Sequence, residues 1–141
     1  MKKVNELSIL IVDDEPMIRT AIKQLLQTLG SPKVAEAANV SAALMQVAEK
    51  KPDLVLCDFS MQPLSGMDFL GRLRGHANMS LRPTPVVMLA TNADLKTIPK
   101  AQRLGIEGYM VKPVSPKDLA ARLEFAMKRE RVNRTQTGQV A

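Results

Sequence analysis

Cysteine, aromatic residues and long apolar runs are all scarce in this sequence. Its one cysteine, Cys57, excludes an internal disulfide and lies within an apolar run, where a thiol behaves as a small hydrophobic group. With no tryptophan, one tyrosine and three phenylalanines, the chain offers no stacking platform for single-stranded nucleic acid. No stretch reaches the roughly 18 apolar residues of a membrane helix, and polar residues interrupt the N-terminus where a signal peptide needs its apolar core. We therefore expect a cytoplasmic protein, in a reducing compartment, without a membrane span.

The chain does contain enough apolar sequence for one domain. Of its 141 residues, 45% are hydrophobic, which suits a single globular domain with a sizeable core. The net charge of +6 permits an acidic or phosphate-bearing partner. Basic residues outnumber acidic ones after residue 115, where a solvated last helix and a charged, soluble tail are the simpler explanation.

Short apolar runs alternate with helical patterns along the chain. The runs predict five buried strands, at 8–12, 33–37, 53–57, 85–89 and 108–111. The patterns between and after them predict helices at 16–30, 40–50, 66–74, 93–105 and from about 115 onward. Pro99 must kink or shorten the fourth helix. The apolar periodicity of the last helix fades by about Arg131, so we predict one domain at 1–130 and a basic, disordered tail at 131–141.

This alternation predicts an α/β fold of the doubly wound type, a five-stranded parallel sheet with helices on both faces. Ligands of such sheets bind outside the carboxyl ends of the strands. Asp13 and Asp14 follow the first predicted strand, Asp58 follows the third, and Lys112 follows the fifth. We therefore expect four charged side chains to converge on one rim of the sheet.

The charges at this rim indicate what it binds. Three carboxylates in contact carry about −3, and like charges at short distance are costly unless they are neutralised. Lys112 supplies one positive charge and a divalent cation supplies two, and a site of oxygen ligands that must meet phosphate favours Mg²⁺. A carboxylate shielded in this way could attack a phosphoryl group and hold it as an acyl phosphate. Capping of the first helix is a reasonable alternative for Asp13 or Asp14 alone, but not for the whole set.

The motifs at these strand ends resemble one family. The segments “LIVDDEP”, “PDLVLCDFSMQPLSGMDFL”, “TPVVML” and “GYMVKPVSPKDL” have the order and spacing of the receiver domain of two-component response regulators, and the likeness covers residues 7–127. The resemblance implies a flavodoxin-like strand order of 2-1-3-4-5. It also implies a phosphorelay signalling protein rather than an enzyme, with at most self-phosphorylation from small donors and self-dephosphorylation.

The same resemblance implies roles for individual residues. A histidine kinase or phosphotransfer protein would phosphorylate Asp58, and Lys112 would contact the phosphoryl group. The peptide bond from Lys112 to Pro113 is expected to be cis, which is tolerable only before proline. The proline of “MQPLSG” falls one place later than is common in the family, which we interpret as a loop variant. The implied Mg²⁺ ligands are three carboxylates and one backbone carbonyl, those of Asp13, Asp14, Asp58 and Ser60.

One position departs from the family pattern. The family's switch threonine or serine falls on Ala90, whether counted from the proline that opens the fourth strand or back from Lys112, and Thr91 comes next. In the family this hydroxyl meets the phosphoryl group while the aromatic residue matching Tyr109 turns inward. Alanine cannot donate a hydrogen bond, so either Thr91 takes over through a one-residue slip or phosphorylation is read out differently. We favour the second, because both counts agree on Ala90.

No output domain is expected, because too few residues follow the last helix for a DNA-binding or catalytic domain. The resemblance then implies a stand-alone regulator of the chemotaxis type, which docks to a partner protein or relays phosphate. The family's usual docking face, formed by the fourth helix, fifth strand and fifth helix, is basic here and would suit an acidic partner, although solvated lysines explain the charge equally well. Its residues are Lys96, Lys100, Arg103, Tyr109, Lys117 and Arg122.

Two other classes of protein compete with this interpretation. A phosphatase of the dehalogenase type also uses an aspartate nucleophile and Mg²⁺ on a parallel sheet, but “DDEP” does not match its “DxD” pair after the first strand. The open alternative is a receiver-fold adaptor that binds an anionic ligand such as a nucleotide second messenger, since arginine suits phosphate recognition. The arginines that it would use are Arg122, Arg129, Arg131 and Arg134.

Overall fold

The computed structural model describes residues 2–140, with side chains described through residue 128. In this part of the chain five strands alternate with five α-helices. The strands are β1 (Ser8–Val12), β2 (Lys33–Ala37), β3 (Leu54–Asp58), β4 (Val86–Ala90) and β5 (Gly108–Val111). The helices are α1 (Pro16–Thr28), α2 (Val40–Lys50), α3 (Gly66–Arg74), α4 (Ile98–Leu104) and α5 (Pro116–Val140). All strand pairs are parallel and the order is β2-β1-β3-β4-β5, which confirms the predicted doubly wound fold.

The three central strands are apolar because both faces of the sheet are covered. β3 and β4 are buried at every position, and β1 is buried after its first residue. Leu10 and Val12 pack on one face with residues of α2, α3 and α4, whereas Ile9 and Ile11 pack on the other with residues of α1 and α5. The two-residue period of a strand therefore divides each apolar run between two cores.

Local sequence decides where the helices begin. α1 begins at Pro16, whose missing N–H is no loss in the first turn of a helix. The Asn39 side chain accepts a hydrogen bond from the Ala42 N–H at 2.8 Å, and the Ser65 hydroxyl accepts one from the Asp68 N–H at 3.2 Å. These caps satisfy free N–H groups at the starts of α2 and α3. They fix the loops that lead out of the carboxyl edge of the sheet.

The segment predicted as one helix at 93–105 is divided in two. A 3-10 helix covers Asn92–Thr97, and α4 follows with Pro99 in its first turn. Proline lacks the N–H that a helix interior requires, so it fits near a helix start and an α-helix cannot continue back through it. The prediction that Pro99 shortens this helix is confirmed, and the predicted start at 93 is wrong.

The C-terminal predictions concern residues beyond the described side chains. α5 spans Pro116–Val140, and the side chains from residue 129 onward lie outside the described residues. The domain boundary at 130 and the disordered tail at 131–141 therefore stay predictions. Across residues 2–140, no helix combines the length and the apolar character that crossing a membrane requires.

Arg74 ties two loops to the end of α3. Its guanidinium donates hydrogen bonds to the carbonyl oxygens of Gly105, Arg82 and Thr84 at distances from 2.6 to 3.0 Å. A hydrogen bond from a charged donor contributes about 1.5–3 kcal/mol, so Arg74→Ala should lower the free energy of unfolding by about 2–4 kcal/mol. Urea denaturation measures this loss. The exposed Arg72 on the same helix is the control, and an Arg74→Ala variant as stable as Arg72→Ala would contradict the prediction.

Candidate functional site

Three aspartates and one lysine meet at the carboxyl edge of the sheet. Asp13 and Asp14 lie between β1 and α1, Asp58 is the last residue of β3, and Lys112 directly follows β5. One carboxylate oxygen of each aspartate lies within 4.8 Å of the other two. Lys112 Nζ lies 2.8 Å from Asp58 Oδ1 and 3.5 Å from Asp13 Oδ2. The structure thus brings together the four charged residues that the sequence placed at this rim.

The order of the strands explains this meeting. β1 and β3 are neighbours in the sheet, so the loop after β1 lies beside Asp58 at the end of β3. β4 separates β3 from β5, and the Lys112 N–H donates to the carbonyl oxygen of Ala90 at the end of β4 at 2.8 Å. The long lysine side chain therefore reaches Asp58 across the end of β4.

Burial and neighbouring charges shift the pKa values of Asp58 and Lys112. Asp13 is fully buried and Asp58 is 2% exposed. Burial raises the pKa of the Asp58 carboxyl above its ordinary value and the charge of Asp13 adds to this, while the Lys112 ammonium partly offsets them. Burial alone would lower the pKa of Lys112, but its contacts with Asp58 and Asp13 outweigh burial and hold that pKa above its ordinary value. Lys112 therefore keeps its proton at neutral pH.

Two buried carboxylate oxygens have no hydrogen bond of good geometry. They are Asp13 Oδ2 and Asp58 Oδ1, and the positive charge beside each of them is that of Lys112. Buried carboxylates are costly when they are left in this state. Three carboxylates and one ammonium sum to about −2, which a divalent cation neutralises, and a set of oxygen ligands suits Mg²⁺. The residues present therefore fit a Mg²⁺ site.

Asp13 is not the cap of α1. The residue at the cap position is Glu15, and it makes no side-chain capping bond. Asp13 Oδ1 instead accepts a hydrogen bond from the Glu15 N–H at 2.9 Å. This contact orients the Asp13 carboxylate and leaves its Oδ2 available to a ligand.

Ser60, whose carbonyl is a predicted Mg²⁺ ligand, lies exposed in the loop after β3. Its Oγ is 3.5 Å from Asp94 Oδ1, which is a long hydrogen bond. Asp94 Oδ2 accepts two further hydrogen bonds, from the Thr91 N–H at 2.8 Å and from Thr91 Oγ1 at 2.9 Å. One carboxylate therefore joins the loops after β3 and β4, a contact that no sequence motif indicates.

The two candidate switch positions differ in their surroundings. Ala90 is fully buried at the end of β4, and its carbonyl oxygen accepts the hydrogen bond from the Lys112 N–H. Thr91 is exposed, and its hydroxyl already donates to Asp94. Tyr109 lies in β5 with 37% of its surface exposed. The assignment of the switch position to Ala90 rather than Thr91, and its consequence for signalling, stay predictions.

Two backbone features lie close to the site. The Lys112–Pro113 peptide bond is cis, as predicted, and the Gln62–Pro63 bond in the loop after β3 is also cis, which the sequence did not indicate.

Gly66, at the start of α3, is a site residue that sequence reasoning missed. A Cβ at this position would collide with the backbone carbonyl oxygen of Asp58 and would lie 2.9 Å from Met88 Cε. The Gly66 N–H also donates to the carbonyl oxygen of Phe59 at 2.9 Å. Glycine therefore allows α3 to begin directly against the end of β3. The one available signal was the glycine of “PLSG” just before the helical pattern.

A family model identifies this combination of fold and site. The model of the response regulator receiver domain matches residues 9–124. The chain belongs to this family. The match includes all four charged residues at the sheet edge, and receiver domains generally bind Mg²⁺ at an acidic pocket such as the aspartate cluster seen here. The chain is therefore a receiver domain of the two-component signalling systems.

Relatives of two kinds are similar to this receiver domain. The chemotaxis protein CheY of Pseudomonas aeruginosa is 35% identical over 127 residues, which cover 90% of this chain and 99% of CheY. The phosphate regulon transcriptional regulatory protein PhoB of Klebsiella pneumoniae is 36% identical over 121 residues, which cover 86% of this chain and 52% of PhoB. The chain thus spans nearly all of CheY and about half of PhoB.

A solved structure shows the same architecture. The response regulator receiver domain protein from Clostridium thermocellum has a TM-score of 0.80 at 30% identity, covering 89% of this chain and 98% of that one. The strand order 2-1-3-4-5 is therefore observed here in a fold that this relative shares.

The described residues add no ligand evidence for the arginine alternative. The Arg122 guanidinium lies against Gly108, where a Cβ would be 2.7 Å from Arg122 Nη1. The side chains of Arg129, Arg131 and Arg134 lie outside the described residues. Binding of an anionic ligand by this group therefore stays a prediction.

Proposed function

We propose that this receiver domain accepts a phosphoryl group on Asp58 from a histidine kinase or phosphotransfer protein. The observation that carries the proposal is the position of Asp58 at the end of a buried strand, with the Lys112 ammonium 2.8 Å from its Oδ1. A carboxylate that attacks phosphorus needs fixed positive charge for the oxygens of the incoming group. Lys112 supplies this charge, since its raised pKa keeps it protonated.

The proposed reaction is a transfer between two side chains. A carboxylate oxygen of Asp58 attacks the phosphorus of a phosphohistidine, and a new P–O bond forms as the P–N bond breaks. The electron pair of the broken bond stays on the imidazole nitrogen, and Asp58 becomes an acyl phosphate. The attacking carboxylate must be ionised. Lys112 then contacts the phosphoryl oxygens and holds the product.

The acidic pair supports this transfer by holding a metal. Asp13 and Asp14, with Asp58 and the carbonyl of Ser60, would be the ligands of Mg²⁺. When bound, the ion supplies positive charge to the phosphoryl oxygens. The Glu15 N–H holds the Asp13 carboxylate in place for this role.

A docking face for a downstream protein completes the proposal. α4, β5 and α5 expose apolar side chains, those of Leu104, Tyr109, Val111 and Phe125. Basic residues lie on the same elements and on the 3-10 helix before α4, namely Lys96, Lys100, Arg103, Lys117 and Arg122. A surface of this composition suits a partner that carries apolar residues flanked by carboxylates.

Chemical labelling tests the proposed function. The chain is incubated with Mg²⁺ and either acetyl phosphate or a phosphorylated histidine kinase, and its mass is then measured. We expect one phosphoryl group per chain, stable in acid and removed by base or by hydroxylamine, as an acyl phosphate is. An adduct that resists hydroxylamine, or no adduct with any donor, would contradict the proposal.

Removal of Mg²⁺ is expected to stop this labelling. Without the ion, the three carboxylates and Lys112 leave a net charge of about −2 that repels an anionic phosphoryl donor, so EDTA should reduce the rate at least about tenfold. Asp13→Asn should raise the Mg²⁺ concentration that gives half of the maximum rate, because it removes one ligand charge. The exposed Asp118→Asn on α5 is the control. An unchanged rate in EDTA would exclude the metal.

A further inference from the structure

Arg19 of α1 joins the loop of the acidic pair to the neighbouring strand. Its Nη1 donates a hydrogen bond to the backbone carbonyl oxygen of Asp13 at 2.6 Å. Its Nε donates to Oε1 of Glu36, in β2, at 3.0 Å. One planar guanidinium therefore connects the loop after β1 to the edge strand of the sheet, and the fork geometry of arginine allows both contacts at once.

Glu36 holds this guanidinium in place. It forms ion pairs with Arg19 and, through its other oxygen, with Lys23 on the next turn of α1 at 3.1 Å. Burial acts to raise the pKa of Glu36, but the hydrogen bonds from Lys23 and Arg19 and their charges outweigh it and lower that pKa. Glu36 therefore stays ionised at neutral pH and keeps Arg19 directed at the loop.

The contact with Arg19 lies at a sensitive point of the backbone. The Asp13 carbonyl belongs to the peptide unit that connects Asp13 to Asp14, the two predicted Mg²⁺ ligands of this loop. Asp13 is held at two other points, because its N–H donates to Ala37 O at 3.1 Å and its Oδ1 accepts from the Glu15 N–H. Among these contacts, the one with Arg19 restrains the linking peptide itself. Rotation of that unit would move the two carboxylates relative to each other.

We propose that Arg19 is a positioning residue for the Mg²⁺ site, because it fixes the peptide between Asp13 and Asp14 and so the relative placement of their carboxylates. The inference rests on the proposed Mg²⁺ site. Arg19 touches neither the ion nor the phosphoryl group, and its guanidinium acts through the backbone. Partners that orient metal ligands change metal affinity by about 10- to 100-fold, and a single backbone contact belongs at the lower end of that range.

Direct titration with Mg²⁺ alone tests this role. Amide NMR shifts of the loop after β1 report binding without a phosphoryl donor, and Arg19→Ala should raise the Kd for Mg²⁺ about tenfold. Lys23→Ala is the matched control, since it removes the other cation bound to Glu36 but leaves the contact with Asp13. Its Kd should stay within about twofold of wild type. Equal Kd values for the two variants would overturn the proposal.

The rate of labelling gives a second readout. In Arg19→Ala the half-saturating Mg²⁺ concentration should rise about tenfold, while the maximum rate at saturating Mg²⁺ should equal that of wild type. If Arg19→Ala leaves the half-saturating Mg²⁺ concentration unchanged and lowers the maximum labelling rate, the proposal is also overturned. If no protein is labelled on Asp58, the proposed function fails, and the Mg²⁺ titration still decides the role of Arg19. If Arg19→Ala does not fold, Arg19→Gln, which keeps part of the stem but loses the charged fork, enters the same comparison.

Discussion

Replacing Asp58 by asparagine is expected to abolish phosphorylation and, in Mg²⁺-free buffer at neutral pH, to stabilise the fold. The two side chains have nearly the same shape, but a neutral amide is not a nucleophile for phosphorus. Labelling by acetyl phosphate should therefore fall to background. The change also removes one of three clustered negative charges, and this second effect has a definite pH dependence.

The pH dependence follows from the pKa of Asp58. Burial, and then the charge of Asp13, raise that pKa in the folded protein above the ordinary aspartate value that applies to the unfolded chain. The folded protein therefore binds the Asp58 proton more tightly, and its stability falls as the pH rises from the ordinary value to the raised one. Asp58→Asn does not undergo this loss. The gain in stability of Asp58→Asn over wild type should be largest at pH values above the raised pKa of Asp58, and it should vanish at pH values below the ordinary aspartate pKa.

Mass spectrometry after labelling and thermal unfolding between acid and neutral pH measure the two effects. Asp118→Asn, at an exposed position in the first turn of α5, should leave the labelling unchanged and should lower the stability by no more than about 1 kcal/mol, the contribution of an acidic side chain at a helix start. Labelling of Asp58→Asn at the wild-type level would place the phosphoacceptor elsewhere. A variant less stable than wild type at neutral pH would show that the ion pair with Lys112 contributes more than the burial of Asp58 costs.

The charged residues of this site could be predicted because each one follows an apolar run. Leu54 to Cys57 form a stretch that only a strand covered on both faces would bury, and Asp58 comes directly after it. Parallel strands end at the same edge of the sheet, so Asp58 and Lys112 had to lie on one rim despite their distance along the chain. The alternation of apolar runs and helical patterns was therefore sufficient to predict the layers of the fold and the charged residues at the carboxyl edge of the sheet. The order of the strands came from the motifs that resemble the receiver family.

Contacts to backbone carbonyls could not be predicted in this way. Arg74 bonds to the carbonyl of Gly105, which lies 31 residues further along the chain, and Arg19 bonds to the carbonyl of Asp13. Every residue has a backbone carbonyl, so the amino-acid sequence does not indicate which carbonyl accepts the hydrogen bond. The same is true of the space beside Gly66, which is limited by the packing of α3 on β3.

The 3-10 helix after β4 was missed for a different reason. Residues three positions apart lie on one side of both α- and 3-10 helices, so the spacing of Leu95 and Ile98 did not distinguish them. The Asp94 carboxylate, which accepts the Thr91 N–H and hydroxyl, holds the first turn of this segment. The same contact engages the hydroxyl of Thr91, the other candidate for the switch position.

Ala90→Thr is expected to enlarge the response of the protein to phosphorylation. Position 90 is fully buried, and its carbonyl oxygen accepts the Lys112 N–H. If position 90 faces the phosphoryl group, as the residue count predicts, a hydroxyl there would gain a charged acceptor on phosphorylation. An unsatisfied buried hydroxyl costs about 1–3 kcal/mol, and a hydrogen bond to a charged group contributes about 1.5–3 kcal/mol. A difference of this size shifts a two-state equilibrium about 10- to 100-fold. The wild-type alanine provides no such difference, and its response is limited to the remaining contacts.

Tyr109 is the reporter for this experiment, since it is the one tyrosine of the chain and is 37% exposed in this state. NMR shifts of its ring, with and without a beryllofluoride mimic of the phosphoryl group, should change little in wild type and strongly in Ala90→Thr. Ala90→Val is the control, because valine has nearly the shape of threonine but no hydroxyl. Its ring shifts should respond as little as those of wild type. Thr91→Ala should also matter little, because the Thr91 hydroxyl is bound to Asp94 at 2.9 Å. A large wild-type response that disappears in Thr91→Ala would instead show that Thr91 is the working switch and that the register assigned to Ala90 is one residue off.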